Sequence, residues 1–415
     1  MNYLAVEPLQ RRRADWDWMP LRRAARIRRE ANTDSSSPLL ALSSDRGVEF
    51  RPEDGGRQIP SDQTITGYWR VRPGDLVFNP MWAIEGGVAV STLSGAVSAA
   101  YRIYEPGPAV WPRFLHYWLR SEMAIDQYRL LVRGITTFDR SVTREDLDGM
   151  PIPVPPFASQ RAIAGHLDRE TAHIDGLIVA KRRMVELLEE RWQGTVRDST
   201  HARCVVSDAR RLPDGWKLMS LRRCLKSAVY GIGDPSQSEG TFAVLGMANI
   251  GSGEVVGSPC GFVSVVDKDL LLAPGDLLFN RTNSRELVGK VGLVRSVDLP
   301  TTYASYLVRL RVNGCADAAY MSYLLNANEV LGMARSMALP SIGQANLNPS
   351  RYSAMVLPIP PVHEQRHIVS RLDVLASQTK GMRQIIECQI NLLQRRRQAL
   401  ITAAVTGQLE IPEAA

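Results

Sequence analysis

Met150-Pro-Ile-Pro-Val-Pro-Pro-Phe157, then Gln160-Arg161, then a charged stretch with apolar residues at Ile163, Leu167, Ile174, Ile178, Val185 and Leu188: this segment decides how the chain is read, because it occurs twice. Val356-Leu-Pro-Ile-Pro-Pro-Val362 leads likewise into Gln365-Arg366 and a second stretch carrying Ile368, Leu372, Leu375, Ile386, Ile390 and Leu393. Gln160 and Gln365, Asp168 and Asp373, Leu188 and Leu393, and Gln193 and Gln398 are each 205 positions apart, so the copies share one register without a gap. Apolar residues three and four apart among charges predict a long amphipathic helix after each proline-rich hinge.

Working outward, the duplication covers most of the chain. Trp16, with Met19-Pro-Leu-Arg-Arg23 behind it, returns 200 positions later as Trp216 and Met219-Ser-Leu-Arg-Arg223. Pro73-Gly-Asp-Leu-Val-Phe-Asn79 and Pro274-Gly-Asp-Leu-Leu-Phe-Asn280 are 201 apart, and each reads as a turn feeding a short strand. Glycine-punctuated strand patterns follow, Gly86 to Tyr104 and Leu287 to Val312, and then short helices at Phe114–Leu119 and Tyr320–Leu325, 206 apart. The offset drifts through the globular parts and is fixed through the helices, so insertions collect in loops while the helical register is kept. The expected order is a head at 1–157, a helical spacer at 158–200, a second head at 201–361, a second spacer at 362–410 and a tail at 411–415, in the α+β class.

The helices have an apolar seam to bury, and the obvious partner for each is the other. Leu167, Ile174, Ile178, Val185 and Leu188 are expected to face Leu372, Leu375, Ile386, Ile390 and Leu393 in an antiparallel coiled coil about a pseudo-twofold axis. A spacer of roughly 39 residues would span ~58 Å, more than the ~34–36 Å of one DNA turn.

Composition narrows the class. No apolar run approaches a membrane span, so a cytoplasmic location is expected. The five cysteines, Cys204, Cys224, Cys260, Cys315 and Cys388, are odd in number and scattered, which reads as reduced thiols. Net charge is +7, and only six of the 50 basic residues are lysine. Arginine's fixed fork suits phosphate and the guanine edge, so nucleic acid is the first partner to consider, although an arginine-biased genome gives the same ratio.

Base reading needs bidentate donors on loops that can enter a groove. In the second head the candidates are Arg281, Asn283 and Arg285 just beyond the strand, with Gln344 and Asn346 on a later polar loop. In the first head they are Trp82, Arg133, Thr136, Thr137 and Arg140. Arg11 to Arg13 and Arg22-Arg23 are candidate phosphate contacts.

Taken together, the two hinges with Gln-Arg beyond them, the helix after each, both Pro-Gly-Asp-Leu-x-Phe-Asn strands, and Leu245-Gly-Met-Ala-Asn-Ile250 with Asn283-Ser-Arg-Glu-Leu-Val-Gly289 make the chain resemble the DNA-specificity subunit of a type I restriction-modification system. The resemblance implies a non-catalytic reader with two target-recognition domains held on paired helices, each reading half of a split target in double-stranded DNA. It also implies two methyltransferase subunits docked on the helices, restriction and motor subunits joining them, and no cofactor in this chain, S-adenosylmethionine, ATP and magnesium belonging to the partners. One departure is Phe157-Ala-Ser-Gln160, where family members usually carry Glu beside the Gln, as Glu364 does in the second copy.

Two motifs point elsewhere. His363-Glu-Gln-Arg-His367 fits a zinc hydrolase with Glu364 as general base, but the first copy reads Ala158-Ser-Gln-Arg-Ala162. Asn79-Pro-Met-Trp82 approaches an adenine-methyltransferase loop but lacks its second proline, and reads as a turn. No lysine has an acidic residue two positions before it and no Gly-x-x-x-x-Gly-Lys loop exists, so no catalytic or metal residues are assigned. The remaining alternative is a DNA-binding scaffold without sequence preference.

Overall fold

The computed structural model describes residues 16–43, 46–51, 65–134, 141–205, 212–233, 236–341 and 343–412. Thr136, Thr137, Arg140 and Arg11 to Arg13 lie outside the described residues. The long helices run Phe157–Thr200 and Val362–Val405, 44 residues each, and both their starts and their ends are 205 positions apart. The missing Glu of the first copy does not move the helix start.

The chain divides into two compact units, residues 1–182 with 387–415 and residues 183–386. The cut falls inside both long helices, because each core is completed by the start of one helix and the end of the other. In the first unit Ile163, Ala164 and Leu167 share a core with Ile401, Ala404 and Val405, around Phe114, Leu115 and Trp118. In the second, Val196 joins Ile368 and Leu372 around Tyr320, Met321 and Leu324.

Each unit holds the same sheet. In the first, antiparallel strands Ala25–Arg28, Arg102–Pro106, Leu76–Phe78 and Val88–Val90 lie side by side in that order. In the second, Leu225–Tyr230, Leu307–Val312, Leu277–Asn280 and Val291–Leu293 repeat the order, with Gly253–Glu254 added beyond. A separate sheet of Gly261–Val263, Phe242–Leu245 and Thr301–Tyr303 belongs to the second unit.

The proline-rich hinges are strands. Pro151–Val154 pairs with Asp17–Pro20, and Val356–Ile359 pairs with Lys217–Ser220, both antiparallel. Only every second residue of such a ladder bonds to its partner strand, so prolines two apart at 151 and 153 are accommodated. Immediately beyond, the two glutamines act as fixed posts. Gln160 is fully buried; its Nε2 donates to the carbonyls of Ala109 (3.0 Å) and Pro155 (2.9 Å), and its Oε1 accepts from Trp111 N–H (2.7 Å). Gln365 does the same with Cys315 O (3.0 Å), Pro360 O (2.8 Å) and Asp317 N–H (2.7 Å). Two turns on, Asp168 accepts from Tyr117 Oη (2.7 Å) and Asp373 from Tyr323 Oη (2.6 Å).

Within each unit the two helix segments run in opposite directions. In the first, Asp175 pairs with Arg397 (2.9 Å) and Lys181 Nζ donates to Gln389 Oε1 (2.7 Å). In the second, Glu189 meets Arg383 at 3.6 Å. Leu167, Thr171, Ile174 and Ile178 are buried, with Lys181, Val185 and Leu188 half-buried after them, a strict four-three alternation. On the second helix the matching row is Leu372, Ala376, Thr379, Ile386, Ile390 and Leu393. Leu375, expected on the seam, is instead 37% exposed. Counting back in sevens from Ile386 reaches Thr379 and Leu372, which leaves the intervening seam position at Ala376.

Candidate nucleic-acid interface

The strand carrying each candidate loop is set by its Pro-Gly-Asp turn. Gly74 and Gly275 sit at φ of 93° and 91°, where a side chain is strained. The following aspartates are buried and close the turn on themselves, Asp75 accepting from Arg72 N–H (2.6 Å) and Asp276 from Ala273 N–H (2.9 Å). Each is held by an arginine from the same sheet, Arg28 on Asp75 and Arg311 on Asp276 (2.6 and 3.0 Å). Burial raises the Asp75 carboxyl above its ordinary range, against the opposing hydrogen bond from Arg72.

Past Asn79 and Asn280 the two units make the same join. Val142 N–H donates to Pro80 O (3.1 Å), and Leu347 N–H donates to Arg281 O (2.8 Å). The loop singled out after the strand and the loop singled out before the hinge are therefore neighbours in both units. In the second they form one small sheet, with Thr282 opposite Asn346, Asn283 opposite Ala345, and Leu339–Ser341 on the outer side. In the first, the pre-hinge loop closes on itself only by an isolated bridge between Arg133 and Ser141.

The candidates divide by what else they touch. Arg281 is half-buried; its Nη2 donates to Asn346 Oδ1 (2.9 Å), and its guanidinium lies over the Tyr230 ring at 5.2 Å. Thr282 Oγ1 also donates to Asn346 (3.2 Å). Arg281 and Asn346 thus orient one another. Asn283 turns its Oδ1 to Ser284 N–H (2.8 Å), fixing its own loop, while Arg285 and Gln344 are exposed on the same edge. Tyr230, 47% exposed, and Tyr306, 49% exposed, flank Arg281, and sequence reasoning passed over both. Tyr230 was legible as an outward position at the end of the alternating strand Leu225–Tyr230; Tyr306 carried no such signal.

In the first unit Trp82 is 46% exposed and Met81 38% exposed. Their backbone is pinned: Asn79 Oδ1 accepts from Met81 N–H (3.1 Å) and Trp82 O accepts from Gly87 N–H (2.7 Å). A Cβ at Gly87 would come within 2.5 Å of that carbonyl, so the tight turn requires glycine there. Arg133 is a surface residue 3.2 Å from Asp146. Arg22 and Arg23 are exposed, as are Arg222 and Arg223.

The zinc-like motif is arranged otherwise. His363 and His367 are exposed, and Glu364 Oε1 accepts from the Trp216 indole (2.9 Å). No cluster of three or more His, Cys, Asp or Glu able to hold a metal occurs among the described residues.

No family model matches the chain. It is 21% identical over 315 residues to the type I restriction enzyme EcoKI specificity subunit of Escherichia coli (strain K12), covering 74% of this chain and 68% of that one. It is 20% identical over 323 residues to the type I restriction enzyme StySPI specificity subunit of Salmonella potsdam, covering 76% and 68%. A solved chain from work on complex assembly and conformational transition of the type I R-M system superposes with a TM-score of 0.66 at 20% identity, covering 96% of this chain and 99% of that one. The fold matches that solved chain, and the sequence is similar to specificity subunits of type I restriction-modification systems.

Proposed function

We propose that this chain reads a two-part sequence in double-stranded DNA for a type I restriction-modification complex, each unit contacting one half of the target. The observation that supports this most is the repeated join: Val142 on Pro80 and Leu347 on Arg281 put a polar, aromatic edge at the same place on two copies of one frame. Arg281, Arg285 and Gln344 are the donors to bases or phosphates in one unit; Trp82 and Arg133 lie at the matching edge of the other. The antiparallel helix segments inside each unit support full pairing of the long helices, which would set the separation of the half-sites and give two methyltransferase subunits their seats. S-adenosylmethionine, ATP and magnesium then belong to the methyltransferase and restriction subunits, and the complex acts in the cytoplasm. Among the described residues no helix is long and apolar enough to cross a membrane.

The test is a genome-wide map of methylated adenines in cells with and without this gene. A split motif with a fixed spacer that disappears on deletion supports the reading. An unchanged map, together with equal affinity for random and genomic DNA, would leave a scaffold without sequence preference.

A further inference from the structure

Strand register lets the edge of one unit be laid over the other, residue by residue. In the second sheet Tyr230, Val308 and Phe279 form one row across three neighbouring strands, and Arg281, two residues past Phe279, has its guanidinium over the Tyr230 ring at 5.2 Å. Val308 and Phe279 in that row are fully buried. In the first sheet Phe78 stands opposite Arg102, and the ladder that pairs Arg28 with Ile103 brings Arg29, one residue on, level with Arg102. With Phe78 matching Phe279, Arg102 takes the place of Val308, Arg29 that of Tyr230 and Pro80 that of Arg281. The cation missing at Pro80 thus returns on the two strands beside it.

The protein around these arginines does not account for them. Arg29 is exposed, whereas Arg28, on the opposite face of the strand, is taken by Asp75. Arg102 is half-buried, and its Nη1 is closed off from solvent without a hydrogen-bond partner among the described residues. Tyr104 shares its face, and the carboxylate there, Asp148, accepts from Tyr104 Oη (3.0 Å) and Arg144 Nε (3.2 Å). A guanidinium where the other unit has a core valine, with a donor closed off and unmatched, destabilises the folded state. An acceptor brought from outside, at the strand end that runs into the Trp82 loop, would satisfy it.

We infer that Arg29 and Arg102 are the cations with which the first unit holds its half of the DNA target, on phosphates or on a guanine edge. The inference rests on the two-half reading above and adds to it residues that neither sequence motif nor loop position singled out. Both acceptors suit a guanidinium, and they differ in what they do to specificity.

The experiment uses the full-length chain and duplexes carrying the split motif of the methylation map, intact or altered in either half. Affinity is measured over a salt series, with hydroxyl-radical footprints, for the wild type, Arg29→Ala, Arg102→Val, Arg102→Lys and Arg281→Ala. Arg102→Val installs what the second unit already holds at Val308, so it should fold with unchanged or greater resistance to denaturant. Each neutral variant should bind the intact motif about tenfold more weakly, with a salt slope smaller by about one for a phosphate contact. Protection should fade over one half only, the half that Arg281→Ala leaves intact. A loss shared by all duplexes assigns phosphates; a smaller penalty for altering one base pair assigns a guanine edge. Arg102→Lys should keep the salt slope and most of the affinity. Unchanged binding by both neutral variants, fading over both halves or over the half lost in Arg281→Ala, or a lysine variant as weak as the valine one would overturn the inference. A wild type without preference for the intact motif would instead overturn the two-half reading, and the salt slopes would still decide whether the two arginines hold DNA.

Discussion

The two units hold their long helices identically and differ at the edge proposed to meet DNA. Gln160 and Gln365 make the same three hydrogen bonds, and Asp168 and Asp373 accept from the same tyrosine of the short helix. At the edge, Pro80 and Ser141 of one unit stand where Arg281 and Asn346 of the other form a side-chain pair under Tyr230. The cation on the helix anchor has also been replaced, Arg113 reaching Asp168 from the short helix (2.6 Å) while Arg295 reaches Asp373 from beyond the sheet (3.1 Å). A duplicated frame keeps the contacts that fix backbone geometry and lets the solvent edge drift, because buried amides must be matched individually and exposed side chains need not be.

The comparison can be broken most decisively by exchange. Replacing residues 1–157 with the corresponding head of a relative should rewrite one half of the methylated motif and leave the other half and the spacer intact. A change in both halves, or in neither, would end the two-reader interpretation. Next in size are Gln160→Ala and Gln365→Ala. Each leaves a buried N–H and two carbonyls unpaired, for an expected loss of about 2–4 kcal/mol confined to its own unit. Hydrogen exchange resolved by segment checks this, and a loss below about 1 kcal/mol in either unit would show that the posts are not equivalent.

Arg281→Ala should weaken DNA binding by about 1–3 kcal/mol and relax only the half-target read by the second unit, whereas Pro80→Ala should do little. Tyr230→Ala should follow Arg281 in direction, measured by competition between cognate and altered half-sites.

Acid sharpens the contrast further. His116 is buried, and its Nδ1 accepts from Val90 N–H at 3.2 Å. Burial, and then the nearby Arg120, hold its pKa well below the ordinary 6.5. The unfolded chain therefore binds a proton that the folded chain refuses. The stability tied to neutral His116 is complete above about 6.5 and is lost as pH falls from there toward the depressed folded value. The matching position in the second unit is Ser322, which bonds to Gly253 O (2.7 Å) and does not titrate. Between pH 7 and 5 the first unit should open before the second in hydrogen exchange, and His116→Ser should remove much of the difference. The smallest effect is expected from Tyr117→Phe and Tyr323→Phe. Each loses one hydrogen bond to a carboxylate that is partly open to solvent, about 1 kcal/mol by denaturant titration, and the first unit loses in addition the contact of Tyr117 Oη with Thr171 (3.2 Å).

Much of this was legible in the order of residues, for a local reason. A repeat with an unbroken offset, turns written as Pro-Gly-Asp, and helices written in threes and fours are patterns within a few residues of themselves. They fixed the two 44-residue helices, the duplicated sheet and the loops to look at. Only the tertiary structure decided that Ala376 and not Leu375 lies on the seam, that the proline segments are strands, and that each core borrows from both helices. It also decided that Arg281 spends its fork on Asn346 beside Tyr230. Those facts depend on segments far apart in sequence coming into contact, 65 positions between Arg281 and Asn346, and side-chain spacing along the chain carries no record of which distant surface it will meet.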